Sequence, residues 1–276
     1  MVGLTSALKT EDSPTVVTPR VRHELKYIVP KHMVDEIRAY ARLFCEPDCN
    51  ASGTPPSYTV STLQLDSPKL SLHLAKERKL VNRFKLRVRT YGTDLKGTYF
   101  FEVKRREENY VRKTRSKVRA EQYCDALFEE PFCIPDLDAD FEVSNHLEFL
   151  RLKNAIGARP VAHIRYERES WIGTVDKDVR VTMDRNIRYR RAEGYRFFGE
   201  DDGKWRVMDS EMGLRRPFGG LVLEIKSSLQ VPTWILKMIR HFDLSRTGFC
   251  KYSTAMRLES LFSGDRYTAA SDRCGF

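Results

Sequence analysis

The sequence predicts an α+β fold, an antiparallel sheet or barrel with helices added, and three observations carry that prediction. Eight segments alternate apolar and polar residues, the two-residue period of strands with one face on a core. Several follow one another with no helix between, whereas a doubly wound parallel sheet needs a helix after nearly every strand. Their polar rows are lopsidedly basic, and like charges facing one another across strands call for an anionic partner.

In chain order, residues 1–20 are polar, contain Pro14 and Pro19, and read as a loose tail. RHELKYIV (22–29) is the first strand and KHMVDEIRAYARLF (31–44) the first helix. The connection 45–57, rich in Pro, Ser and Gly, reads as a loop. YTVSTLQLD (58–66), RFKLRVRTY (83–91), TYFFEVKRR (98–106) and NYVRKTRSKV (109–118) are the next strands. Helical stretches follow at 120–130 and 145–156. PVAHIRYERES (160–170) and VRVTMDRNIRYR (179–190) are strands, and 191–219 reads as an insertion with a hairpin turn at Asp202-Gly203. GLVLEIKSS (220–228) is the last strand. A short helix over 232–242 opens with Pro232, whose missing N–H does no harm there. Its apolar side, Trp234, Ile235 and Ile239, suits a core or a tunnel plug better than lipid. With a second tail over 263–276, the chain is expected to form one domain over 21–262.

Composition narrows the function classes. The 276 residues carry 48 Lys+Arg against 38 Asp+Glu, a net charge of +10. Hydrophobic residues at 41% and aromatics at 11% are enough for a core, which excludes a disordered polyelectrolyte. No run of 18 apolar residues and no basic-then-apolar leader appears, so a soluble, cytoplasmic protein is expected. The six cysteines form no dense framework and read as reduced thiols; Cys45 and Cys49 lack the second close pair that a zinc site needs. Nor is there a Gly-rich phosphate loop, a dinucleotide turn, an H-E-x-x-H helix or a G-x-S-x-G elbow. A protein of this kind that handles phosphate must do so with side chains.

Alternation sorts those side chains. Lys85, Arg87 and Arg89 form one row of their strand, while Phe84, Leu86 and Val88 form the other. Glu24 and Lys26, Glu102 and Lys104, and Glu224 and Lys226 each flank an apolar residue. By chance, about one Glu-x-Lys triplet is expected in a chain of ordinary composition. The basic rows continue through Lys113, Arg115, Lys117, Arg168 and Arg180. One reading is an open sheet whose salt-bridge ladder faces water. The other turns the polar faces inward: about eight strands suffice to close a barrel, and its lumen becomes a corridor of guanidinium and ammonium groups. Carboxylates interspersed there can hold a divalent cation through hard oxygen ligands, and phosphate chains suit that corridor.

Taken in order, RHELKYIV, YTVSTLQLDSP, FKLRVRTYG, FFEVKRR, IRYERES, VRVTMDRNIRY, LVLEIK and KYS resemble a known family over about residues 20–260. It is the polyphosphate polymerase (VTC-type) domain of the triphosphate tunnel metalloenzyme superfamily. The resemblance implies a closed antiparallel eight-stranded β tunnel, open at both ends, with helices packed outside and one Mn²⁺ or Mg²⁺. It also implies transfer of the γ-phosphate of ATP onto a growing inorganic polyphosphate chain that threads the tunnel. Lys26 matches an early lysine at the transfer site, and Arg87 and Arg89 match paired arginines with Lys85 just before them. Lys104 and Lys117 match lysines on consecutive strands, Arg168 and Arg180 two later arginines, and Tyr166 a tyrosine near the nucleotide.

Glu224 matches the metal-holding carboxylate, with Glu24 and Glu102 as further candidates, and Lys251 and Ser253 match the ends of a Lys-aromatic-Ser motif. On this reading Lys26, Arg87, Arg89, Lys104, Arg168 and Arg180 carry the transfer, while Lys85, Lys117, Tyr166, Lys226, Lys251 and Ser253 bind phosphate. One position departs: the family's basic residue after that serine is Thr254 here. The regulatory SPX domain and membrane spans of the full complex are not expected in this chain. The rival expectations are a triphosphatase in the same tunnel, with water as acceptor, and a non-catalytic polyphosphate binder. Nucleic acid is not an expected partner, because the basic residues alternate within strands and no DNA- or RNA-binding motif appears.

Overall fold

Eight long strands form where alternation places them, and two short ones join them. The computed structural model describes residues 23–108, 110–129 and 133–263. The tail expected over 1–20 lies outside them, as does that over 263–276 apart from Ser263, which ends a helix. The strands are β1 (His23–Pro30), β2 (Cys45–Pro47), β3 (Ser57–Asp66), β4 (Arg83–Tyr91) and β5 (Tyr99–Glu107). They continue with β6 (Tyr110–Val118), β7 (Arg159–Gly173), β8 (Arg180–Arg191), β9 (Arg206–Val207) and β10 (Gly220–Ser227). All pair antiparallel in one sheet of order β1-β10-β8-β7-β3-β4-β5-β6, with β2 added to β7 and β9 to β8.

The expected closure is not made by hydrogen bonds. The ladder ends at β1 and β6, which share no pairing among the described residues. Part of the reason lies at the outer edge of β1, which is already engaged: Thr247 N donates to Lys26 O at 2.8 Å, and Tyr27 bridges to Arg246. The sheet still curls strongly. Lys104 of β5 reaches Glu24 of β1 across the concave side, Nζ to Oε2 3.4 Å.

The helices are α1 (Val34–Arg42), α2 (Ser71–Glu77), α3 (Asp140–Ala155), α4 (Glu211–Leu214), α5 (Thr233–His241) and α6 (Lys251–Ser263). On the convex side, Phe149 and Leu150 of α3 cover Leu63, Leu86, Val88 and Phe101. Ile37 of α1 and Ile235 and Met238 of α5 cover Tyr27, Leu223, Ile225 and Val181. Each such buried side chain contributes about 1.5–3 kcal/mol. The apolar side of α5 is therefore core, with Trp234 stacked on Phe44 at 4.9 Å.

Helix α6 departs from the expectation that helices pack outside. Tyr252, Ala255, Met256 and Leu258 pack against Val60, Ala162, Ile164 and Tyr166. Those strand residues share the concave face with Arg89, since Thr62 is opposite both Arg89 and Ile164 and alternation carries the rest. So α6, and not α5, is the element that enters the curl.

The helix expected over 120–130 is replaced by two 3₁₀ turns, Ala120–Gln122 and Asp125–Phe128, with extended backbone at Cys124. Aromatic packing outweighs helix propensity there. Tyr123 stacks on Tyr99 at 4.0 Å and Phe128 on Tyr195 at 3.7 Å, and both belong to the same convex-side core. The turn at 202–203 is present, with Gly203 at φ +64°, but it lies within a wide loop between β8 and β9 and not in a tight hairpin.

Candidate functional site

The polar rows converge on the concave face around one cavity of about 500 Å³. Nine basic side chains and two carboxylates line it. Of the residues singled out from the sequence, Lys26, Lys85, Arg87, Arg89, Lys104, Tyr166, Arg168, Lys226 and Lys251 are on its wall, together with Glu224 and Glu24.

Register explains the charge pattern at the β1/β10 side. Glu24 lies opposite Lys226 and Lys26 opposite Glu224, so the two Glu-x-Lys triplets meet head to tail. Lys26 Nζ is 2.8 Å from Glu24 and 3.5 Å from Glu224, and Lys226 Nζ is 2.7 Å from Glu224. Burial alone would raise both carboxyls, but the neighbouring ammonium groups overrule it: Glu24 is brought to about 2 and Glu224 well below the carboxylate range. Both are ionised at neutral pH.

On the β7/β8 side, Arg168 donates from Nε and Nη2 to the two oxygens of Asp184 at 2.7 and 2.8 Å, and Lys251 Nζ donates to Oδ2 at 2.5 Å. The Tyr166 ring lies beneath both cations, 5.3 Å from the guanidinium carbon and 4.4 Å from the ammonium. Asp184 is fully buried and is the partner that lets two cations stand side by side. On β4 and β5, Arg87 Nε donates to Glu102 at 2.7 Å, and Lys113 pairs with the other oxygen. Arg89 is buried and reaches Thr62 Oγ1 at 3.3 Å.

Four expected site residues stand elsewhere. Glu102 is buried off the cavity wall with its oxygens held by Arg87 and Lys113, so it acts as a strut beneath the cations. Lys117, on the exposed edge strand, leans to Glu142 of α3 at 3.7 Å. Arg180 lies opposite Lys226 and so on the same face, but its side chain is half-exposed at the rim, 3.6 Å from Asp48. Ser253 lines a different, smaller cavity, and so does Thr254, so the position where a basic residue was expected does not face the main one.

Two further wall residues, Lys113 and Cys250, shape the main cavity's charge and were not among the expected site residues. Lys113 sits in a basic row, and burial together with nearby Arg87 lowers its pKa to about 8 against the pull of Glu102. Cys250 has no pattern to betray it; it is placed by the turn into α6, where Lys85 Nζ lies 2.9 Å from its sulfur. Burial would raise this thiol, but the Lys85 ammonium brings it down to about 6. Alkylation of Cys250 by iodoacetamide is expected to be half-maximal near pH 6 instead of near 9, and to slow when polyphosphate fills the cavity. Peptide mass spectrometry separates it from the exposed Cys49, Cys124 and Cys133; an ordinary thiol profile at Cys250 would refute the pairing.

Glu24 and Glu224 are the carboxylates on the cavity wall, each with its oxygens against lysine ammonium groups that a bound cation would displace. Among the described residues no group of three or more His, Cys, Asp or Glu gathers to hold a metal. The donor set fits an ion of the Mg²⁺ or Mn²⁺ kind, which takes one or two carboxylates and completes its shell with phosphate oxygens and water.

A family model described as the VTC domain matches residues 21–259. The vacuolar transporter chaperone complex subunit 4 of Schizosaccharomyces pombe is 24% identical over 255 residues, covering 79% of this chain and 34% of that protein. The chain thus spans about a third of that relative's length. Among solved structures, the PH1819 protein from Pyrococcus horikoshii OT3 aligns over 88% of this chain and 99% of its own, with a TM-score of 0.41 and 14% identity. No helix of the described residues is long and apolar enough to cross a membrane.

Proposed function

The chain belongs to the VTC domain family, and from that premise we propose that it is an ATP-dependent polyphosphate polymerase whose cavity holds the triphosphate and the growing chain. The observation that carries this reading is the single wall on which nine cations face two carboxylates grouped at one side. Such a surface is self-repelling until a polyanion occupies it.

Phosphoryl transfer needs alignment and charge neutralisation more than covalent help. Arg87, Arg89 and Arg168 present forked donors suited to phosphate oxygens, and Asp184 and Glu102 hold Arg168 and Arg87 in position. Lys26 and Lys104, on either side of Glu24, contact the transferring group, while Lys85, Lys226 and Lys251 bind further phosphates. Glu224 and Glu24 would hold the divalent ion, which neutralises phosphate charge when bound. A terminal oxygen of the acceptor chain forms the new bond to the γ-phosphorus, the bond to the β–γ bridging oxygen breaks, and ADP leaves. The attacking oxygen is already anionic, so no general base is required.

Incubating the protein with ATP and Mn²⁺ is expected to yield long-chain polyphosphate, visible on a gel and by ³¹P NMR. Orthophosphate as the sole product would replace polymerisation by a triphosphatase. Chain binding without turnover would leave a polyphosphate-binding module.

A further inference from the structure

The basic wall continues past the edge of the main cavity. Val111 of β6 is half-exposed and lines that cavity; its register partner on β5 is Arg106, whose own partner on β4 is Arg83. Residues opposite one another in a ladder share a face of the sheet, so both arginines stand on the concave side, at the mouth. They lie two residues beyond Lys85 and Lys104, which are on the cavity wall.

Register thus sets two guanidinium groups face to face, an arrangement that repels. The other facing cation pairs of β4, β5 and β6 each have a carboxylate against one member: Glu24 for Lys104, Glu102 for Lys113 and Glu148 for Arg105. Arg83 and Arg106 make no ion pair with a carboxylate among the described residues. Each donates instead to a backbone carbonyl, Arg83 to Leu80 O and Arg106 Nε to Glu108 O at 3.2 Å. Glu107, next to Arg106 in the chain, is engaged by Arg105 at 3.9 Å. The rim itself is built: Asn82 Oδ1 accepts from Glu108 N at 3.3 Å and ties together the two turns that supply those carbonyls. A guanidinium carries five N–H donors, so one bond to a carbonyl leaves each arginine a fork for a further acceptor. Burial and the neighbouring Arg106 depress the Arg83 pKa, against the pull of Cys250 on the cavity wall.

We propose that Arg83 and Arg106 form an oxyanion clamp that grips a phosphate chain where it leaves the main cavity between β4 and β6. This rests on reading the main cavity as a phosphate-chain site. A phosphate unit between the two forks exchanges their repulsion for a pair of charge-assisted contacts. Arg83 is four residues from Arg87, about 13 Å along the strand. A short anion held by the inner arginines does not span that distance, whereas a long chain does.

The test is calorimetric titration of the whole chain, without ATP, using inorganic tripolyphosphate and polyphosphate of several tens of units. Wild type is expected to bind the long chain more tightly. Arg106→Glu, at an exposed position, sets a carboxylate against Arg83 and so fills the clamp. It is expected to weaken long-chain binding about tenfold, the effect of losing a charge-assisted contact. Its tripolyphosphate affinity should stay unchanged, which also shows that the variant is folded. Arg112→Glu makes the same change of charge on the opposite face of β6, where Arg112 is exposed and lies across from Arg105, and should leave both affinities unchanged. Unaltered long-chain affinity in Arg106→Glu, equal weakening of both probes, or an equal loss in Arg112→Glu overturns the clamp while the main cavity's role stands. Failure of wild type to bind even tripolyphosphate overturns both.

Discussion

Glu224→Gln is expected to cut metal-dependent ATP turnover about 100-fold or more, the scale of losing a group that stabilises transition-state charge. Glutamine keeps the shape of the side chain and removes its charge, so the Lys26 and Lys226 ammonium groups, now 3.5 and 2.7 Å from the carboxylate, lose their shared counter-ion. If Glu224 holds the divalent ion, the Mn²⁺ concentration for half-maximal turnover rises as well. A purely electrostatic role for Lys26 would lower turnover at every metal concentration alike. Turnover that is unchanged across the Mn²⁺ titration would remove Glu224 from the metal site altogether.

Asp184→Ala is expected to destabilise the fold by about 3–5 kcal/mol, the cost of leaving buried cations without their partner. At about 2–4 °C per kcal/mol for a chain of this size, the melting temperature should fall on the order of 10 °C. The argument is local: Asp184 accepts both donors of Arg168 and the Lys251 ammonium, and it is fully buried. Burial would raise its carboxyl, but Arg168 and Lys251 hold it at about 2. A carboxyl depressed in the folded state stabilises above its ordinary pKa, and that contribution is lost as pH falls through about 2. It is therefore intact at neutral pH, where differential scanning calorimetry should be run. A melting point within experimental error of wild type would show that solvent, and not Asp184, carries the two cations.

The sequence by itself determined the strands, their faces and the basic character of one face. Alternation is a local property: Lys85, Arg87 and Arg89 share a face because successive side chains of any strand point opposite ways. The same rule put Glu24 beside Lys26 and Glu224 beside Lys226 on one face. Only the tertiary structure decided what those rows meet. Register set Glu24 against Lys226, the curl of the sheet brought Lys104 to Glu24, and the entry of α6 placed Lys251 on Asp184 and Cys250 beside Lys85. Lys117 had the right residue type and face and Ser253 the right residue type, yet an exposed edge strand and the turn of a helix carried them off the main cavity. Closure was likewise beyond local patterning, because whether β1 accepts β6 or residues 246–247 at its free edge depends on segments more than 80 positions away in the chain. Periodicity is written by neighbours a few residues apart, while a binding cavity is assembled by contacts between distant ones, and those depend on how the whole sheet bends.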